Sequence, residues 1–481
     1  MAKGRGKAAP GEPMPISLGV RSAPGRAGPD SAARLINCYA EKMGDEGVIP
    51  YPLYPIDGLQ VFASPAATGG VRALVELEES NTLLAVVGSS LYQRSGVGGA
   101  LTETIVGSID GAGFVTTARN RNVLPMVSIV AERTVYIWQN GAVSLLNDPD
   151  LPAPNSVSFV DGYFVYAIDD GRWFISAIDD STVSPLDFAS AEANPDGLIR
   201  VTVVNRDLLL MGPKTIEAWR NVGTSPFPFQ RVTVIQRGLL SAPSVANFEE
   251  SLVFVASDGT VRRLDGYATT RISDHAIERA IADEPDKASI SGEAWQKDGH
   301  SFYACSGTNF TWVFDGTTGL WHERRSYGDT RWRCSQYVKF NDQHLFGDFT
   351  QPKIYIADRS YNDEAGSPLV MTVQPPAVNA YPHPIKINRV YVRMVAGEGL
   401  NSTDDAVADP QVMLEVSGDG GVTFGGMRSG STGRMGERLA RVTFNRLGYF
   451  NEGGAVLRFT SSAAVKRAFI GLAINLEKLN A

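Results

Sequence analysis

Residues 160–180 read Val-Asp-Gly-Tyr-Phe-Val-Tyr-Ala-Ile-Asp-Asp-Gly-Arg-Trp-Phe-Ile-Ser-Ala-Ile-Asp-Asp. Asp161-Gly162 is a turn signal, and residues 163–168 are aromatic, β-branched or small. That run is too short for a stable helix and suits a buried strand. Asp169-Asp170-Gly171 reads as a tight hairpin turn, because glycine tolerates the positive φ such turns need. Residues 173–178 form the returning strand, and Asp179-Asp180 ends it. An isolated hairpin is at best marginally stable in water, so this one needs neighbours of its own kind.

The chain supplies them. The same turn–strand–turn–strand order opens at Asn81, Asn122, Asp161, Asn205, Glu249, Asp298 and Asn341. These starts fall roughly 40–50 residues apart, which is the period of propeller blades. Each interval leaves room for two further strands, as at residues 155–159, 199–204 and 228–235. Four strands per unit is blade geometry, and radial packing leaves only short, protected edges. A β-sandwich with evenly spaced hairpins is the competing architecture, but seven similar units are too many for one sandwich. The expected fold is all-β: a β-propeller of six or seven blades, seven favoured, followed by a C-terminal β-sandwich.

Composition agrees with that class. The chain has 481 residues, 43% of them hydrophobic and 49 of them glycine, with no apolar run near 18 residues. A core of that size needs no staples, and no membrane span is expected. Cys38, Cys305 and Cys334 are odd in number and widely spaced. They form neither a disulfide framework nor a zinc pattern, so free thiols in a reducing cytoplasm are expected. A net charge of −8 argues against tight nucleic-acid binding by the body of the protein.

Five segments follow from these patterns. Residues 1–34 read as a flexible basic arm, with Lys3, Arg5, Lys7, Arg21 and Arg26 among Gly, Pro and Ala, and without the apolar core of a secretion signal. Residues 35–65 are an irregular lead-in segment, and residues 66–360 are the propeller. Within it, residues 274–284 predict a helix: Asp274 caps it, Ala276, Ile277, Ala280 and Ile281 share a face, and Pro285 stops it. Residues 361–384 read as a linker, because Pro375, Pro376, Pro382 and Pro384 oppose regular central strands. Residues 385–481 form the sandwich.

The most specific small motif is Ser417-Gly418-Asp419-Gly420-Gly421-Val422-Thr423-Phe424. Ser417, Asp419, Gly421, Thr423 and Phe424 match the Asp-box pattern of sialidases and other β-proteins. Asp419 is placed to accept hydrogen bonds from turn amides while Phe424 packs the hairpin base, which makes the motif a structural device. It occurs once and outside the blades, where a sialidase would carry several copies.

Catalytic candidates are few. The pairs Asp169/Asp170 and Asp179/Asp180 sit at turns, where solvated caps are the simpler reading than a glycosidase pair. The histidines 275, 300, 322, 344 and 383 have no metal spacing, and His344 reads as a core residue. No phosphate loop and no Gly-x-Ser-x-Gly elbow is present. No catalytic, metal-binding or cofactor-binding residue is therefore assigned, and neither enzyme activity nor a cofactor is expected. Arg324, Arg325, Arg331 and Arg333, interleaved with Trp321 and Trp332, form the one dense basic run. Contact with DNA or an acidic partner stays open there, with a solvated blade edge favoured.

Ala193-Asn194-Pro195-Asp196-Gly197-Leu198-Ile199, followed by Thr215-Ile216-Glu217-Ala218-Trp219, resembles the tail-hub, or packaged-DNA-stabilisation, proteins of short-tailed bacteriophages. Residues 37–41 and 51–58, Gly347-Asp348 before Lys353-Ile354-Tyr355, and the sandwich with one Asp-box are similar to the same family. The resemblance spans roughly residues 30–481 as a mosaic of short motifs. It implies a structural virion protein of the tail, made and assembled in the host cytoplasm. Six copies would form a ring beneath the portal and adaptor, retain packaged DNA until genome ejection, and carry the distal plug, needle, tailspike or fibre. DNA would pass without sequence-specific binding, which an acidic charge suits. The alternative is a carbohydrate-binding or carbohydrate-active propeller acting on host surface glycans. It requires acids and aromatics converging at the propeller mouth.

Overall fold

The computed structural model describes residues 12–25, 32–43, 51–96, 101–191 and 196–479. The organising hairpin is present as Tyr163–Ala167 and Arg172–Ser176. Gly171 takes φ +94 in its turn, and the Arg172 amide donates to Asp170 Oδ1 at 3.0 Å. Ser156–Val160 precedes this hairpin and Val183–Ser190 follows it, giving a four-stranded antiparallel sheet in simple chain order.

Seven such sheets surround one axis. Their first strands are Val71–Leu77, Val115–Arg119, Ser156–Val160, Arg200–Val204, Ala246–Phe248, Ser291–Lys297 and Cys334–Phe340. These first strands face a shared central cavity. Blades one to six each take four consecutive strands. Blade seven takes only three, Cys334–Phe340, Gln343–Asp348 and Ile354–Asp358, and its fourth strand is Gly58–Ala63 from before blade one. The strand preceding the first blade therefore closes the ring.

The repeat owes its regularity to one backbone conformation. Six of the seven expected turn starts, Asn81, Asp161, Asn205, Glu249, Asp298 and Asn341, lie at φ between +46 and +56. Asn and Asp enter this left-handed region more readily than most residues, and hairpin turns with positive φ match the twist of the strands. Blade two departs from the pattern: its first turn is longer, held by Asn120 Oδ1 accepting the Met126 amide at 2.7 Å. Neighbouring turns also meet. Asn341 Nδ2 donates to Asn81 Oδ1 at 2.6 Å, Asn205 Nδ2 donates to the Glu250 carbonyl at 3.0 Å, and Arg206 pairs with Asp161 at 2.9 Å.

Between blades the core is apolar. Trp173 is fully buried and faces Trp219, Phe227 and Phe229 of blade four, with ring centroids 5.2–5.5 Å away. The helix His275–Asp283 forms as its sequence predicts. Asp274 Oδ1 accepts the Ala276 and Ile277 amides, and Ala276, Ile277 and Ile281 are buried beside blade five.

The sandwich differs from its sequence outline. One sheet contains Cys38–Ala40, Leu53–Pro55, Phe469–Lys478, Ile385–Met394 and Val442–Phe450. The other contains Arg34–Ile36, Met371–Gln374, Val456–Ser461, Gln411–Ser417 and Arg428–Ser431. Parts of the expected arm, lead-in and linker are thus sandwich strands, and Met14–Ile16 pairs with Leu472 to Ile474. The cause is burial: Leu35, Cys38, Leu53, Met371 and Val373 are each 0% exposed in the core between the sheets. Pro375 and Pro376 follow a strand rather than prevent one. Lys3, Arg5, Lys7 and Arg26 lie outside the described residues. Ile36 pairs in parallel with Glu323, joining the sandwich sheet to the outer strand of blade six.

Candidate functional site

Two places concentrate polar chemistry: the junction of blades six and seven with the sandwich, and the central cavity. The basic run occupies the first. Arg324 is 3% exposed, its guanidinium lies 3.5 Å above the Trp332 ring, and its Nη2 donates to the Asp57 carbonyl at 3.0 Å. Arg331 is buried over Phe349 at 3.9 Å and donates to the Gly307 and Trp332 carbonyls. Arg333 lies over Tyr355 at 5.7 Å. Arg325 pairs with Glu323 at 2.9 Å, and Arg34 from the sandwich grips the same carboxylate through Nε at 2.9 Å.

These arginines therefore do not form the solvated blade edge expected from sequence. A guanidinium is weakly hydrated and planar, so it buries against aromatic faces when carbonyls take its N–H groups. Glu364 enters the same pocket on the short strand Asp363–Glu364, which pairs in parallel with Leu59. It is 0% exposed beside Arg324, Arg333, Ser326 and Trp332, and burial raises its pKa while the two arginines oppose that rise. In sequence Glu364 falls in the linker of residues 361–384, and nothing local marks it as buried.

The central cavity has a volume of about 610 Å³. Thr117, Ser158, Thr202, Asn247 and Tyr337 contribute to a mostly polar wall that also holds Arg200 and Glu293. Arg200 Nη1 donates to the carbonyls of Ala242 at 2.6 Å and Val245 at 3.2 Å, and its guanidinium lies 5.2 Å from the Phe114 ring centre. Both charged residues keep a minor exposed area yet are enclosed by the surrounding strands. Enclosure pushes the Glu293 carboxyl up to about 8, with Arg200 opposing, and brings Arg200 down to about 10. No sequence signal singled out this pair, because each residue is a lone charge on an inner strand.

The Asp-box residues form a hydrogen-bonded turn. Ser417 Oγ donates to Asp419 Oδ1 at 2.6 Å and accepts the Gly421 amide at 2.8 Å. Asp419 Oδ1 accepts the Val422 and Thr423 amides at 3.0 and 2.9 Å, and the Thr423 hydroxyl donates to Oδ2. Ser417 and Thr423 hold the Asp419 carboxyl well below the usual range. Phe424 lies under Arg458, with the guanidinium 3.6 Å from the ring centre, and Arg458 pairs with Glu415 at 2.9 Å.

The remaining candidates are scattered. Asp170 pairs with Arg172, Asp169 pairs with Arg133, and Asp179 and Asp180 are exposed turn residues. His300 is buried against Asp315 at 2.9 Å, and burial brings His322 down to about 3. His344 is half-buried, with Nδ1 3.0 Å from the Tyr337 hydroxyl. Among the described residues no group of three or more His, Cys, Asp or Glu is placed to hold a metal ion, and no helix is long and apolar enough to cross a membrane. Cys38, Cys305 and Cys334 are free and buried.

Together these features define a ring-closed, seven-bladed β-propeller joined to a β-sandwich. Residues 37–362 match the phage stabilisation family, described as bacteriophage P22 Gp10, beta-propeller. The chain belongs to that family and is a phage structural protein. No curated protein matches it. Among solved structures, the WD40 β-propeller domain of Doa1 is 14% identical with a TM-score of 0.41, covering 63% of this chain and 97% of its own. The computationally designed Ika8 protein is 14% identical with a TM-score of 0.41, covering 62% and 99%. BBS1N in complex with ARL6DN is 12% identical with a TM-score of 0.42, covering 63% and 97%. At that similarity they add nothing to what the seven sheets establish.

Proposed function

We propose that this protein is the tail hub of a short-tailed phage: a virion component that joins the portal and its adaptor to the distal needle or plug and the tailspikes or fibres, and that helps retain packaged DNA. Membership in the phage stabilisation family is the observation that carries this reading. The build of the chain supports it. The propeller is closed on itself, and the sandwich is fused to blade six through strand pairing and the Arg34–Glu323 ion pair.

The central cavity of one chain cannot be the DNA conduit. A total of about 610 Å³ is a small fraction of the space one turn of duplex fills, with a major groove about 12 Å wide and about 8.5 Å deep. In our reading the conduit lies between copies, in a ring of six of which this chain is one member. Closed rings need heterologous contacts that close by rotation. We expect the purified chain to be largely monomeric and to form its ring on the portal-side partner. Native mass measurement of the protein with and without that partner tests this. A persistent monomer in intact particles would overturn the ring, and a stable hexamer in dilute isolation would overturn its dependence on the partner.

A further inference from the structure

Two surfaces of the chain are opposite in charge, and each carries exposed apolar side chains. The first is the outer edge of blade three. Residues 177–188, Ala-Ile-Asp-Asp-Ser-Thr-Val-Ser-Pro-Leu-Asp-Phe, contain three aspartates and no base. The strand register runs from Ser176 opposite Val183 to Phe174 opposite Phe188, so residues 184–187 bulge out of the ladder. Leu186 stands on this bulge at 82% exposure, and Ile178 is 64% exposed in the adjoining turn. Asp179, Asp180 and Asp187 have no ion pair among the described residues.

The second surface is the sandwich loop of residues 432–441. Residues 427–446 hold five arginines and one glutamate. The loop is built: the Arg434 amide donates to Glu437 Oε2 at 2.9 Å, the Glu437 amide to the Arg434 carbonyl at 3.0 Å, and the Gly436 amide to the Gly397 carbonyl at 3.1 Å. It nevertheless presents Leu439 at 93% and Met435 at 60% exposure, between the exposed Arg434, Arg438 and Arg441. Arg438 has one long pair, to Glu398 at 3.7 Å, and neither Arg434 nor Arg441 has an ion pair among the described residues.

An apolar tip ringed by arginines and an apolar edge ringed by aspartates are complementary in both sign and polarity. Both are exposed, so neither covers the other within one chain. We propose that the loop of residues 432–441 docks on the blade-three edge, residues 177–188, of a second copy of this chain. The contact is head-to-tail, which generates a ring where the rotation closes; that closure, though not the contact itself, rests on the tail-hub reading. Opposed charges steer and register such a contact, while the central apolar residues supply its desolvated area.

The test uses the buried state of the native cysteines. Leu186→Cys and Leu439→Cys, on separately tagged full-length chains, place single exposed thiols at positions whose side chains carry no folding load. Mixed and oxidised, the two variants should give a heterotypic disulfide dimer at roughly fivefold or more over either homotypic product. Raising salt from about 0.05 M to about 0.5 M should reduce that product several-fold, because the attraction is between exposed charges. Asp187→Arg in the first chain should do the same at low salt. Homotypic products equal to the heterotypic one, or no product in either purified chains or particles, would overturn the proposal. Particles that contain the chain but yield no product would overturn this contact while leaving the tail-hub reading intact. A heterotypic product from chains that never enter particles would support the contact and sink that reading.

Discussion

Ala63, which ends the strand before blade one, sits opposite Ile354 of blade seven. The ring is therefore closed by pairing between segments nearly 300 residues apart in sequence. Leu59 on the same strand is 1% exposed and packs among Phe346, Tyr355 and Ala357. Leu59→Ala should cost about 2–5 kcal/mol through lost burial and an unfilled cavity. Because this strand joins the last blade to the start of the first, the whole propeller should melt earlier in one transition. Calorimetry showing a small early transition, with the main one unmoved, would mean that closure is not coupled to the other blades.

Trp173 makes the corresponding point between blades three and four. Its ring meets three aromatic rings of the next blade, and Ile175 shares its strand face and its cluster. Trp173→Ala should cost about 3–5 kcal/mol against a typical domain stability of about 5–15 kcal/mol. Melting temperature and particle yield should fall together. Unchanged melting with lost attachment of a partner would contradict the buried position.

The propeller was legible because its signal is local and repeated. Asn, Asp and Glu at six hairpin turns mark the left-handed backbone, and the strands between them are short apolar runs of constant spacing. The helix was legible for the same reason, since Asp274, the apolar face and Pro285 lie within a dozen residues. What was not legible is non-local. Nothing near Gly58–Ala63 announces that it completes blade seven, and nothing near Leu35 or Cys38 announces a place in the C-terminal sandwich. The arginines misled for a related reason: charge clustering in sequence suggests solvent, whereas Trp332, Phe349 and Tyr355 supply faces that bury them. The Glu293–Arg200 pair arises only when blades four and six face one cavity.

The junction gives a prediction with a sharp sign. Glu364 feels the charges of Arg324 and Arg333 without a direct ion pair, while Arg324 also lies near Asp57 and Arg333 reaches Asp348 at 4.0 Å. Removing one partner from a buried charge cluster leaves the other uncompensated, at a cost of about 3–5 kcal/mol. Because Asp57 and Asp348 share the compensation, Glu364→Ala should fall short of that range, and adding Arg324→Met should recover part of the loss. A double-variant cycle with no coupling would show that the two charges do not sense one another.

Glu293 yields a pH dependence whose direction follows from its enclosure. In the folded chain its carboxyl is pushed up to about 8, against an ordinary value of 4.5 for the unfolded chain. Between those values the native state holds a proton that the unfolded state releases, so stability falls as pH rises through the window. Below about pH 4.5 both states are protonated and the penalty vanishes; above about 8 it is complete and constant. Arg200, brought down to about 10, remains charged throughout and adds no slope of its own there. Glu293→Gln should therefore melt with the wild type at pH 4 and above it at pH 8–9. The difference should be on the order of 1–2 kcal/mol, because the exposed part of the side chain leaves room for solvent screening. Denaturant melts of both proteins across pH 4–9 measure the gap directly. A gap independent of pH would mean that Glu293 titrates as an ordinary carboxylate and that the cavity wall does not enclose it.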